Sequence, residues 1–392
     1  MSEPLMATYK RLPVTFARGE GVWLWDTNGT RYLDALSGIA VCGLGHAHPA
    51  VREAICEQAG QLIHTSNLYG IAEQERLGAM LTERTGMDRV FFANSGAEAN
   101  EAAIKLARLH AHRRGIENPA ILVAENSFHG RTLATLSATG NRKVQAGFEP
   151  LVQGFLRVPY NDVEAIEIAA SHRQNIVAIL IEPIQGEGGI RVPTDDYLPR
   201  LRAICDREGW LLIYDEIQTG MGRTGRFLAH EHVAARPDVV TLAKGLGNGV
   251  PIGACLARGA AAEVLTPGAH GSTFGGNPLA CRVGRAVLET LDTDHLIENA
   301  ARQGDALLSA LRERLADTKG VVGIRGRGLM IGIELDRPCA ELVGQALDAG
   351  LLINVTAERV IRLLPPLILS APEAERIVQV LGELIQGFPG NV

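Results

Sequence analysis

At 392 residues, with 46% hydrophobic and 21% charged side chains, the chain has the make-up of a folded protein with a large core and room for two or three domains. A net charge of −6 gives no electrostatic footprint for nucleic acid, and no run of roughly 18 uninterrupted apolar residues is present to span a bilayer. The opening MSEPLMATYKRLP lacks the apolar centre of a signal peptide, and six scattered cysteines without a C-x-x-C pair read as buried thiols of a reducing compartment, so a cytoplasmic protein is expected.

In chain order, Val22 to Trp25 and Thr30 to Asp34 flank an Asn28-Gly29 turn and predict a hairpin. The loop GLGHAHP carries two histidines; without a further ligand nearby a structural use is expected, and no metal. Pro49 to Leu62 reads as a helix. Arg89 to Ala93 reads as a strand running into Asn94-Ser95-Gly96-Ala97-Glu98, where Ser95 and Glu98 have the spacing of a capping box and open a helix over Ala99 to Arg114. Strand, small-residue turn and helix start together make an anion site, because free N–H groups and the helix dipole converge there.

Further apolar strands follow at the spacing of alternating helices. Ile121 to Ala124 leads to Phe128-His129-Gly130-Arg131, Val177 to Ile181 leads to Glu182-Pro183-Ile184-Gln185-Gly186-Glu187, and Trp210 to Tyr214 leads to Asp215-Glu216-Ile217-Gln218. Val239 to Ala243 ends at Lys244 and loosens into Gly245, Gly247 and Gly249, and Ile252 to Ala257 follows. Such runs predict an α/β fold: a mostly parallel sheet covered by helices, with ligands at the carboxyl ends of its strands. Beyond about residue 285 the pattern changes to a long helix over Leu296 to Leu315, antiparallel strands in Val321 to Asp336, a helix near Ala340 to Ala349, strands at Leu351 to Asn354 and Val360 to Leu363, and a terminal helix from about Pro372. The expected division is residues 1–49, 50–284 and 285–392, a large domain between two terminal segments that build a smaller α+β domain.

The chemistry is expected at Lys244 and Asp215. A lysine at the mouth of a buried strand is driven toward its neutral, nucleophilic form and can condense with a carbonyl. An aspartate ending WLLIY needs a cation. The two could simply pair with each other, or both could address one cofactor, the lysine holding its carbonyl carbon and the aspartate keeping a pyridine nitrogen protonated. Pyridoxal phosphate requires that arrangement, with the SGAE helix start as its phosphate site and Phe128 against its ring. The GLGNG run is not the G-x-G-x-x-G of a dinucleotide site.

The pieces NSGAEANEAAIKLAR, FHGRT, EPIQGEGG, DEIQTGMGRTG, AKGLGNGVPIGA and HGSTFGGNPLAC stand in this order. With them the chain resembles the class-III pyridoxal-phosphate aminotransferases of fold type I over nearly its whole length, and among them those acting on acetylornithine. The resemblance implies roles for single residues. Lys244 and Asp215 match the cofactor-holding lysine and the partner of the ring nitrogen. Ser95, Gly96 and Ala97 match the phosphate loop, Phe128 the stacking aromatic and Gln218 the residue near the ring hydroxyl, with Glu216 and Ile217 also expected to bind the cofactor. Thr273 resembles a threonine that reaches the phosphate from a second subunit, with Ser272 beside it as a substrate contact, which implies a homodimer sharing its sites. Arg131 and Arg362 match the two carboxylate-binding arginines. Glu187 matches a carboxylate that pairs with Arg362 when the donor has no second carboxylate. Ornithine-specific relatives carry a tyrosine where this chain has Ile39, which favours an acylated donor, with succinylornithine, succinyl-diaminopimelate and 4-aminobutyrate chemistry as alternatives. An aminomutase and a regulator without turnover are the other readings. The Glu187/Arg362 pair opposes the first, and the roughly 20 residues before the hairpin leave no room for the DNA-binding domain of the second.

Overall fold

The apolar strands assemble into one seven-stranded sheet in the order Arg89–Ala93, Gly253–Ala257, Val239–Leu242, Leu211–Asp215, Ile176–Ile181, Ala120–Ala124, Phe155–Val158. The computed structural model that shows this describes residues 4–388. The ends of the two terminal segments, including the first three residues of the stretch searched for a signal peptide, lie outside the described residues. Gly253–Ala257 runs antiparallel to both its neighbours. The strands from Val239–Leu242 to Phe155–Val158 pair in parallel, as the unbroken apolar runs require.

Burial on both faces accounts for the composition of these strands. Ile121, Val177, Leu211, Ile213 and Val239 face a layer built on Ala102, Ala103, Leu106 and Ala107 of the helix Gly96–Arg113. Leu122, Ile179, Leu212 and Tyr214 face the opposite way, against Tyr197, Leu201 and Ile204 of the helix Tyr197–Glu208. Alanines on the first helix let it lie close to the sheet, so its N-terminus meets the strand ends. Gly253 marks the tightest point: a Cβ there would come within 2.3 Å of the Ser95 carbonyl oxygen.

The terminal segments add two four-stranded sheets. The expected hairpin forms as Trp23–Asp26 and Arg31–Asp34. Leu351–Leu352 pairs in parallel with Arg31–Asp34, so the two ends of the chain share a sheet. In the other sheet Val321–Arg327, Met330–Leu335, Val360–Leu363 and Asn354–Thr356 are neighbours. The segment expected as one strand over Leu351 to Asn354 is split between these two sheets. The pattern change near residue 285 falls inside the helix Pro278–Thr293. The Phe155–Val158 strand and the helices Ala72–Thr85 and Val163–His172 had no counterpart in the sequence reading. Among the described residues no helix is long and apolar enough to cross a membrane.

Candidate active site

The carboxyl ends of the parallel strands open into a cavity of about 380 Å³. Lys244, Asp215, Ser95, Gly96, Ala97, Phe128, Arg131, Ile217, Gln218 and Glu187 all line it. Register explains the first two. Asp215 pairs with Thr241 across the central strands, and the chain runs three residues further to Lys244 at the same edge. Lys244 is held at a φ of 45°, in the left-handed region that side-chain-bearing residues rarely occupy and that clusters at functional sites. Burial, and then the charge of Arg362, pull its ammonium down to about 8, against the opposing influence of Glu187, Asp215 and Glu182. A lysine so placed is a neutral amine over much of the mildly alkaline range. No ion pair joins it to Asp215 among the described residues.

Asp215 is 4% exposed and is fixed by a network that the sequence reading did not identify. His129 Nδ1 lies 2.8 Å from its Oδ2, Asn100 Nδ2 donates to the same oxygen at 2.7 Å, and the Ile217 amide donates to Oδ1 at 3.1 Å. Thr241 in turn donates to Asn100 Oδ1 at 2.8 Å. Asn100 gave a usable signal: an amide in the middle of an alanine-rich helix is costly to bury unless it is bonded. The other missed residue is Glu182, which ends its strand as Asp215 ends the next one. It lines the cavity and accepts from the amides of Phe128 at 3.1 Å and Gly186 at 3.4 Å. Burial, and then the neighbouring Asp215 charge, raise its carboxyl well above the usual range.

At the far side the helix Gly96–Arg113 begins at Ser95, whose hydroxyl accepts from the Glu98 amide at 3.2 Å. The expected capping box is not completed. Glu98 reaches one residue further back, to the Asn94 amide at 2.6 Å and its side chain at 2.8 Å. The first amides of the helix therefore stay free for an anion. A Cβ at Gly96 would stand 2.8 Å from Ile217 Cδ1, so the helix start and the Asp215–Gln218 turn close on each other there.

Behind Glu187 and Gln218, which line the cavity, stands Arg362. Arg362 is fully buried on Val360–Leu363 and donates to Glu187 at 2.5 Å, to Asn354 Oδ1 at 3.1 Å and to Gln218 Oε1 at 3.3 Å. The Glu187 side chain is 37% exposed. Burial would raise its carboxyl, but Arg362 outweighs that and holds it below the usual range. Arg131 is exposed at the mouth, its guanidinium 5.7 Å from the Phe128 ring centre.

Besides Arg362, three of the expected residues do not line the cavity. Glu216 turns into the interior, accepting from Thr219 at 2.6 Å and from the amides of Ala229 at 2.8 Å and His230 at 3.0 Å. Ser272 accepts from Asn94 at 3.3 Å and from the Gly275 amide at 2.9 Å, and Thr273 is exposed; neither lines the cavity. Ile39 is 37% exposed two residues before Val41, which does line it. Of the loop histidines, His46 is bound to Asp34 at 2.8 Å, and among the described residues no group of three or more His, Cys, Asp or Glu is arranged to hold a metal.

Pyridoxal phosphate fits this donor set. The free amides at Ser95 to Ala97 suit its phosphate, the buried Asp215 suits a protonated ring nitrogen, Phe128 offers a face to the ring, and Lys244 offers an amine to its carbonyl.

The comparisons agree in length and kind. The aminotransferase class-III family model matches residues 5–385. An acetylornithine aminotransferase of Nitrosomonas europaea is 58% identical over 384 residues, covering 98% of each chain. Acetylornithine aminotransferase 1 of Bordetella bronchiseptica is 54% identical over 388 residues, 99% of each. Among solved structures, the ornithine aminotransferase of Toxoplasma gondii superposes with a TM-score of 0.94 at 37% identity, over 97% of this chain and 92% of that one. The acetylornithine aminotransferase of Elizabethkingia anophelis gives 0.87 at 36% identity, over 98% and 96%.

Proposed function

The chain belongs to the class-III aminotransferases, enzymes of fold type I that depend on pyridoxal phosphate, and from that premise we propose that it moves the terminal amino group of N2-acetylornithine to 2-oxoglutarate. The products are N-acetylglutamate 5-semialdehyde and glutamate, a step of arginine biosynthesis, carried out in the cytoplasm. Relatives that share half or more of the sequence over nearly its full length support this donor. Ornithine, succinylornithine, succinyl-diaminopimelate and 4-aminobutyrate are the competing donors.

When bound, the cofactor supplies the electron sink that makes the amine-bearing carbon of a substrate acidic. The chain's own residues do the rest. Lys244, close to neutrality, takes the proton from that carbon as general base. Asp215, immobilised by His129 and Asn100, holds a proton at the ring nitrogen. Arg131 at the mouth takes the donor's α-carboxylate in the bidentate geometry that guanidinium favours.

The observation that carries this reading is the Arg362–Glu187 pair. Acetylornithine has no carboxylate at its reacting end, whereas glutamate does. A buried guanidinium without a counter-ion is costly in the first half-reaction, and a permanent pair would block the second. Glu187 is half-exposed and so able to leave, while Arg362 is not. In the Glu187→Ala variant Arg362 is free throughout. Single-turnover rates of the two half-reactions, measured separately, should shift toward glutamate by roughly tenfold, the worth of one charge-assisted hydrogen bond. Equal slowing of both would reduce Glu187 to a turn residue. In the unmodified enzyme acetylornithine should react faster than ornithine or 4-aminobutyrate.

The homodimer belongs to the same proposal. Ser272 and Thr273 stand outside the cavity of their own chain, as residues serving a neighbouring site would. Mixing Lys244→Ala with Thr273→Ala protomers should then regenerate one intact site per heterodimer and leave the other with both lesions. Activity no higher than that of the two parents would show that each site is built within one chain.

A further inference from the structure

The Glu187 carboxylate has to leave Arg362 and return, yet its main chain is tied from several sides. The loop is closed at its base, where the amides of Gln185 and Arg191 donate to each other's carbonyls at 3.1 and 3.0 Å. Arg325, on Val321–Arg327, donates from Nε to the Ile190 carbonyl at 2.7 Å and from Nη2 to the Gly189 carbonyl at 2.6 Å. Its remaining nitrogen holds the buried Glu334 at 2.5 Å, which fixes the guanidinium itself. The Thr356 hydroxyl donates to the carbonyl of Glu187. Thr356 stands two residues from Asn354 on the strand Asn354–Thr356, hence on the same face, and Asn354 Oδ1 accepts from Arg362. One short strand thus touches both members of the pair.

We propose that Thr356 and Arg325 are positioning residues for the substrate exchange: they hold the main chain of Glu187 still, so that the carboxylate alone rotates between Arg362 and the open cavity. A carboxylate on a fixed pivot loses little freedom each time the pair re-forms, whereas one on a drifting loop must lose more and pairs less often. Weakening the tether therefore leaves Arg362 free for a larger share of the time and tilts the enzyme toward glutamate. This inference rests on the reading of Glu187 as a removable counter-ion.

The test uses the cofactor-loaded enzyme and the ratio of its glutamate and acetylornithine single-turnover rates. Thr356→Val removes the hydroxyl at nearly constant shape and should raise that ratio roughly threefold to tenfold, the size of one hydrogen bond, with Thr356→Ser restoring it. Added to Glu187→Ala it should change the ratio no further, because the two act through one carboxylate. Arg325→Lys keeps a charge for Glu334 while losing the carbonyl bonds; it should behave alike and replaces Thr356→Val should the latter fail to fold. An unchanged ratio in these variants while Glu187→Ala shifts it, or a full further shift on top of Glu187→Ala, overturns the tether. No shift in Glu187→Ala itself overturns the counter-ion reading, and the tether with it.

Discussion

Replacing Lys244 with alanine should lower transamination by roughly 100- to 10,000-fold from the lost proton transfer alone. Among the described residues no other lysine lines the cavity. The depressed ammonium adds a pH signature. Below about 8 Lys244 carries its proton and cannot attack a carbonyl, and above it the amine is free. The rate at which apoenzyme captures added pyridoxal phosphate should therefore rise as pH passes through about 8 and then level off. A lysine with an ordinary pKa would keep gaining until beyond pH 10. Stopped-flow mixing across that range separates the two.

The second large effect is expected at Asp215. Asn100 and His129 both donate to Oδ2, so Asp215→Asn can keep both bonds through its remaining oxygen and loses the one that Oδ1 accepts from the Ile217 amide. It cannot keep the negative charge. The variant should hold the cofactor at near-normal stoichiometry while proton abstraction slows by roughly 100- to 1,000-fold, as for a lost preorganised electrostatic contact. Single-turnover absorbance with acetylornithine reads both quantities in one sample. A near-normal rate would show that the ring nitrogen does not depend on this carboxylate. Failure to retain the cofactor would make Asp215 a binding residue first.

That Lys244 and Asp215 should meet was readable because each ends an unbroken apolar run, and a buried strand that halts at a charge marks the edge of the sheet. The same logic marks Glu182, which follows the buried apolar run Ile176–Ile181. The direction of Glu216 was also available in principle. Side chains alternate along a strand, so Asp215 continues the Leu211 and Ile213 side toward Asn100, while Glu216 falls on the Leu212 and Tyr214 side toward His230. The partners of Asp215 are harder to read. Asn100 and His129 lie 115 and 86 residues away in sequence, and only the packing of the helix Gly96–Arg113 against the strand ends brings them in. The capping box shows a different limit: its spacing is present at Ser95 and Glu98, but a second pair of donors at Asn94, its main-chain and side-chain amides, wins the carboxylate. The Phe155–Val158 strand lies at the edge of the sheet, where fewer apolar residues are needed, and its partial burial left a pattern too weak to read.

The account rests most heavily on Lys244 as the point where the cofactor joins the chain. Borohydride reduction of the loaded enzyme followed by peptide mapping should leave the pyridoxyl mass on the peptide containing Lys244. A label on any other lysine would contradict the site described here.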